Sequence, residues 1–125
     1  MPFVLLIDKR WLLEVAQNLV PGDPDITDYG ALAAAAARHR DTVMDRLVYD
    51  SAHHRAAALL HSLIRVPALE HSNELFAAQV AHAYLTASGL TVKATFQDAA
   101  ALVTAVTTGQ ADVRQVATAL KTWSS

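Results

Sequence analysis

The chain contains no cysteine, which excludes disulfides, thiolate nucleophiles and cysteine-ligated metal, and fits a cytoplasmic protein. Charge is sparse as well, since Asp, Glu, Lys and Arg make up 18% of the 125 residues. The formal net charge of −2 and the sequence pI near 6.3 supply no basic field, so nucleic acid is not an expected partner. Long apolar runs are missing too. Pro2-Phe3-Val4-Leu5-Leu6-Ile7 stops at Asp8, too short to cross a membrane and without the basic start of a signal peptide. Neither membrane attachment nor targeting is expected. There is no Gly-x-x-x-x-Gly-Lys-Ser/Thr loop and no His-Glu-x-x-His, and Ser51, Ser62 and Ser72 lack the glycine flanks of a hydrolase nucleophile.

What is present is apolar and helical in period. Hydrophobic residues are 53% of the chain, enough for an ordered globular core and a single domain over 1–125. Convincing alternating strands are absent, and six helical segments can be placed, giving an all-α bundle. The first begins near Asp8, a favoured N-cap residue, and carries Trp11, Leu12, Val15, Ala16 and Leu19 on one face. Val20-Pro21-Gly22-Asp23-Pro24-Asp25 breaks it. The second runs from near Asp28 through an alanine tract to about His39, and the alanines read as packing surface. Between Asp41 and Tyr49 the residues Val43, Met44, Leu47 and Val48 fit either a helix or an exposed hairpin.

The third helix, about Ser51 to Ile64, turns Ala56, Leu59, Leu60, Leu63 and Ile64 inward. The fourth, Asn73 to Ser88, buries Phe76, Val80, Ala83, Tyr84 and Ala87, and Gly89 ends it as a C′ residue. Thr95 and Asp98 have capping-box spacing and open the fifth, which Gly109 closes. The sixth carries Val113, Val116, Ala117, Leu120 and Trp123 at helical spacing. Between the third and fourth lies Arg65-Val66-Pro67-Ala68-Leu69-Glu70-His71-Ser72-Asn73-Glu74-Leu75-Phe76, a polar turn ahead of a helix N-terminus. Such a place suits phosphate chemistry, because the free N–H groups of the helix point into it.

These residues resemble the signature of the Fic/Doc family, in particular its short death-on-curing branch of toxins from toxin–antitoxin modules. That signature reads roughly His-Pro-Phe-x-Asp/Glu-Gly/Ala-Asn-x-Arg after a helix ending Leu-Leu-His-x-x-x-Arg. Here Leu59-Leu60-His61-Ser62-Leu63-Ile64-Arg65 precedes the loop and Asn73 falls on the family asparagine. Ala83 to Gly89 matches the end of the family's next helix. Leu90-Thr91-Val92, Asp98-Ala99-Ala100, Thr107-Thr108-Gly109 and Val113 to Leu120 match its last two helices. The resemblance implies a nucleotide-dependent transferase, phosphoryl or AMP to a protein hydroxyl, using ATP with magnesium, arresting translation, and neutralised by an antitoxin segment that covers it.

The departures fall on the reactive positions. Pro67 stands where the family has its histidine, and proline has no group that takes a proton near neutral pH. Leu69 replaces the phenylalanine, His71 the acidic residue and Ser72 the small residue, while Glu74 and Leu75 stand where basic side chains meet phosphate. Losing a general base costs about 10²–10⁴-fold in rate. Two readings follow. In the first, the loop Pro67 to Leu75 belongs to a degenerate toxin-family protein that works by binding an antitoxin peptide or protein target and needs no cofactor. In the second it belongs to a divergent active transferase with His71 as substitute base and Ser72 and Asn73 as binding residues. A third reading, an unrelated helical module, stays open beside them. Asn73 reads first as the cap of the fourth helix, His61 as a hydrogen-bonded structural histidine, and Arg65 as a cation at the end of its own helix. Asp50, His54 and His61 share a face, but no metal is expected there without further ligands.

Overall fold

A computed structural model describes residues 4–124. Residues 1–3, which include the start of the Pro2–Ile7 run, and residue 125 lie outside it. Six α-helices and one short hairpin follow in the order α1 (Lys9–Leu19), α2 (Tyr29–His39), β1 (Thr42–Val43), β2 (Arg46–Leu47), α3 (Ala52–Arg65), α4 (Asn73–Ala87), α5 (Phe96–Thr107) and α6 (Val113–Trp123). No described helix is long and apolar enough to cross a membrane.

The helix starts are set by side-chain caps. Asp8 accepts from the Trp11 N–H at 2.9 Å, Asp28 from Ala31 at 3.1 Å and Ser51 from His54 at 3.1 Å. Thr95 and Asp98 form the expected capping box. Asp112 and Gln115 form a second one at the start of α6.

Helix α3 is the centre of the bundle and packs against α2, α4, α5 and α6. Its Ala56, Ala57 and Ala58 are fully buried, and their small side chains let the neighbouring helices come close. The alanine tract of α2 divides: Ala31, Ala35 and Ala36 pack with Leu32 into the core, while Ala33, Ala34 and Ala37 face outward. Leu19, expected inside, is exposed. The helix ends there, and the extended backbone of Val20 turns that residue into the core instead. On α4, Ala87 is exposed and Ala83 half-buried, whereas Ala77, Ala81 and Leu85 are buried beside the expected Phe76, Val80 and Tyr84. That helix meets both α1 and α3, so its buried face is broader than one stripe.

The segment after α2 is the hairpin of the two alternatives. Thr42 pairs with Leu47 and Val43 with Arg46, around Met44 and Asp45 at φ 53° and 64°, the two-residue turn that matches strand twist. Strands of two residues are too short to show alternation, so the absence of a strand signal did not exclude them.

Two polar side chains lie in the core, His39 and Arg55. Arg55 donates from Nε to the Tyr84 hydroxyl at 2.7 Å and from a terminal nitrogen to the Tyr49 carbonyl at 3.1 Å. Arg55 sits one position before Ala56 and four before Leu59. Helical period alone therefore marked it as inward-facing, and the phenol of the buried Tyr84 supplied the acceptor a buried guanidinium needs.

Candidate functional site

The loop that joins α3 to α4 is stitched along both sides. Ala68 and Leu69 are buried, and Leu69 makes an antiparallel bridge with Ile26. The Ala68 carbonyl accepts the N–H groups of Thr27 at 2.8 Å and Asp28 at 3.1 Å. The Glu70 N–H donates to the Asp25 carbonyl, and the Asp25 N–H returns to Glu70 Oε1, both at 3.0 Å. The broken stretch after α1 thus supplies the wall against which the loop is set.

Asn73 holds the loop from the other side. Its Oδ1 accepts the N–H groups of Ala68 at 3.1 Å and Leu69 at 2.9 Å, and its Nδ2 donates to the Leu69 carbonyl at 2.8 Å. The expected capping role is therefore not what this side chain does. Asn73 is the first residue of α4, and the N-cap is Ser72, in the left-handed conformation at φ 64° with no side-chain cap bond. Three of the four hydrogen-bonding positions of the Asn73 amide face the loop's own main chain.

The other motif residues are arranged around this turn. The Ser72 hydroxyl lies 2.8 Å from His71 Nδ1, and His71 Nε2 lies 3.9 Å from Glu70 Oε1. The Glu70–His71 separation is too long for a hydrogen bond; Glu70 and His71 are exposed and Ser72 is half-buried. The His71 ring rests beside Gly22, where an added Cβ would stand 3.4 Å from Cε1. Pro67 is exposed. Glu74, in the first turn of α4, suits the helix dipole and lies 3.5 Å from the Thr107 hydroxyl. Leu75 projects no charge at all. The end of α4 that faces the loop therefore presents a carboxylate and an alkyl chain where an anion would bind.

The basic residues nearby are committed elsewhere. Arg65 is the expected cation in the last turn of α3, and it also reaches across to the Val106 carbonyl of α5 at 3.4 Å. Arg38 donates to His61 Nδ1 and the Ser62 hydroxyl, each at 3.0 Å, and to the Tyr49 hydroxyl at 3.1 Å. That bond makes His61 the expected structural histidine, accepting through Nδ1. Burial, and then the charges of Arg38 and Arg65, hold its pKa below the ordinary histidine value. Asp50 and His54 stand 3.7 Å apart, but His61 turns to Arg38 and does not join them. Among the described residues no three His, Asp or Glu side chains converge as a metal site would need.

On the opposite face of α4 lies a cavity of about 390 Å³ that the sequence did not disclose. Leu75, Ala78, Gln79, His82 and Leu85 line it from α4, Phe96, Ala99 and Leu102 from α5, and Leu120 and Trp123 from α6. The α4 positions recur every three or four residues along one face. His82 is the single titratable residue of the lining. Phe96, at the mouth, is 85% exposed.

Six helices, four of them packed on a central α3 that is itself the fifth, with a stitched turn ahead of α4, define an all-α bundle. The chain is 33% identical over 116 residues to Toxin Doc of Mycolicibacterium smegmatis, a match that covers 91% of this chain and 89% of that protein. No family model matches the chain. With that identity over nearly its full length, the chain belongs to the Doc toxin family.

Proposed function

We propose that this member of the Doc toxin family is a pseudoenzyme that acts by binding and transfers no group. The observation that carries the reading is the first turn of α4 and the loop before it. Pro67 replaces the base, Glu74 and Leu75 replace the phosphate clamp, and the Asn73 amide is spent on Ala68 and Leu69. The residues present do not fit a nucleoside triphosphate with magnesium: its phosphates would meet the Glu74 carboxylate in the first turn of α4, which itself carries no arginine or lysine. Base and clamp together are the two largest contributions to such a reaction, so losing both leaves little of it.

The partner in this reading is an antitoxin, and its docking place is the groove between α4, α5 and α6. The lining residues from Leu75 to Leu85 extend about 15 Å along α4 at 1.5 Å per residue, the length of a short amphipathic helix. The lining is apolar apart from Gln79, His82 and Thr95, so the occupant presents an alkyl or aromatic face and keeps its charges at the rim.

Incubation of the protein with cell lysate and radiolabelled ATP or GTP, with magnesium, tests the loss of transfer. No protein band is expected to gain label above a control without the toxin. Label that depends on His71, lost in His71→Ala, would establish an active transferase with a rebuilt base.

A further inference from the structure

We propose that His39 fastens residues 5–7 to the bundle as a pH-released strap. Protonating its ring detaches that segment while the α3–α4 core stays folded. His39 closes α2 and is fully buried. Nδ1 is bonded to the Ala36 carbonyl, so it carries the proton, and Nε2 accepts the Ile7 N–H at 3.0 Å. Both ring nitrogens are spent, and the neutral tautomer is fixed by the two partners. A proton on Nε2 would put a donor against the Ile7 donor and a charge into the core.

The surroundings offer that charge no partner. The groups that face His39 are Arg40 beside it at the end of α2, Arg55 from α3 and the Tyr84 ring from α4, 5.9 Å away and edge-on. Asp8, at the end of the strap, is exposed and holds the Trp11 N–H. No ion pair to His39 occurs among the described residues. Burial, opposed by the Ala36 bond and reinforced by the two arginines, keeps its pKa below the ordinary histidine value.

The strap itself has few other attachments. Among the described residues no main-chain hydrogen bond ties residues 5–7 to another element. A second side chain holds it: the Tyr84 hydroxyl donates to the Leu5 carbonyl while accepting from Arg55. Ile7 is buried, but Leu5 is half-buried and Leu6 exposed. Opening the segment therefore exposes one core side chain, Ile7, while α3 and α4 keep their mutual packing, which makes it a local event and not global unfolding.

The sign of the pH effect follows from linkage. Once the strap is open, His39 titrates near its ordinary value of about 6.5; while it is closed the ring must stay neutral. The closed state is fully favoured above about pH 6.5 and loses about tenfold per unit as pH falls below that, down to the depressed pKa of the closed state.

Amide hydrogen exchange by NMR between pH 7.5 and 5, corrected for intrinsic rates, reads this directly. The opening constant at Ile7 is expected to rise about tenfold per pH unit below 6.5, with the Val80 amide in α4 more protected throughout. Ile7 and Val80 exchanging at one shared rate, or a flat Ile7 profile, would overturn the proposal. His39→Gln keeps an acceptor for the Ile7 N–H without a titrating ring, so its Ile7 profile is expected to be flat; a retained slope would overturn the proposal equally. Should that variant fail to fold, the wild-type ring decides. Its NMR resonances are expected to show a protonated population growing in step with Ile7 opening, and a ring that stays neutral while Ile7 opens contradicts the mechanism.

Discussion

Asn73→Ala is expected to lower the unfolding free energy by about 2–4 kcal/mol, a large share of a typical domain's stability. The substitution removes both acceptors' worth of bonding from one amide oxygen and the donor beside it. It leaves the N–H groups of Ala68 and Leu69 and the Leu69 carbonyl without their partners. Ala68 and Leu69 are themselves buried, so water does not fully replace what is lost. Urea denaturation measures it as a lower midpoint at unchanged slope. Asn73→Asp retains the acceptor and loses the donor, so it should fall between wild type and alanine. A loss below about 0.5 kcal/mol for the alanine variant, the range of an ordinary surface change, would mean the loop is held by its pairing with Asp25, Thr27 and Asp28 alone.

The groove carries the second large effect. Phe96→Asp is expected to weaken antitoxin binding by at least about 30-fold, the equivalent of about 2 kcal/mol for an aromatic anchor at an interface. Folding should be unchanged. The ring is largely exposed, and the residue opens α5 just after the Thr95 cap, where an acidic side chain agrees with the helix dipole. Calorimetry of the variant with the full-length antitoxin, alongside a thermal melt, separates the two effects. Equal affinity for wild type and variant would place the antitoxin elsewhere on the surface.

Much of the bundle was legible because its boundaries are written in short-range chemistry. Asp8, Asp28, Ser51 and Thr95 each cap the helix they precede, and a cap needs only three or four residues of context. Long-range pairing was not legible. That Asn73 would face Ala68 and Leu69, and not its own helix, depends on the loop folding back against residues 25–28. The left-handed Ser72 takes the cap position as a consequence. Arg65 shows the same limit: its position at the end of α3 suggested its own helix, but its guanidinium also reaches the Val106 carbonyl of α5, 41 residues away in sequence. The groove was illegible for a further reason. Its residues come from α3, α4, α5 and α6 and the turn between α4 and α5, and most of them alone look like one more packed apolar position. The identities on which the pseudoenzyme proposal rests needed no fold at all: Pro67, Glu74 and Leu75 are read directly from the sequence, and the structure adds that Glu74 and Leu75 lie in the first turn of α4.

Isothermal calorimetry with ATP and with GTP, each with and without magnesium, tests the central claim most directly, because it asks the loop itself whether it holds phosphates. No saturable heat is expected for either nucleotide up to the millimolar range. Micromolar binding that disappears in His71→Ala would contradict it and show that the site has been rebuilt.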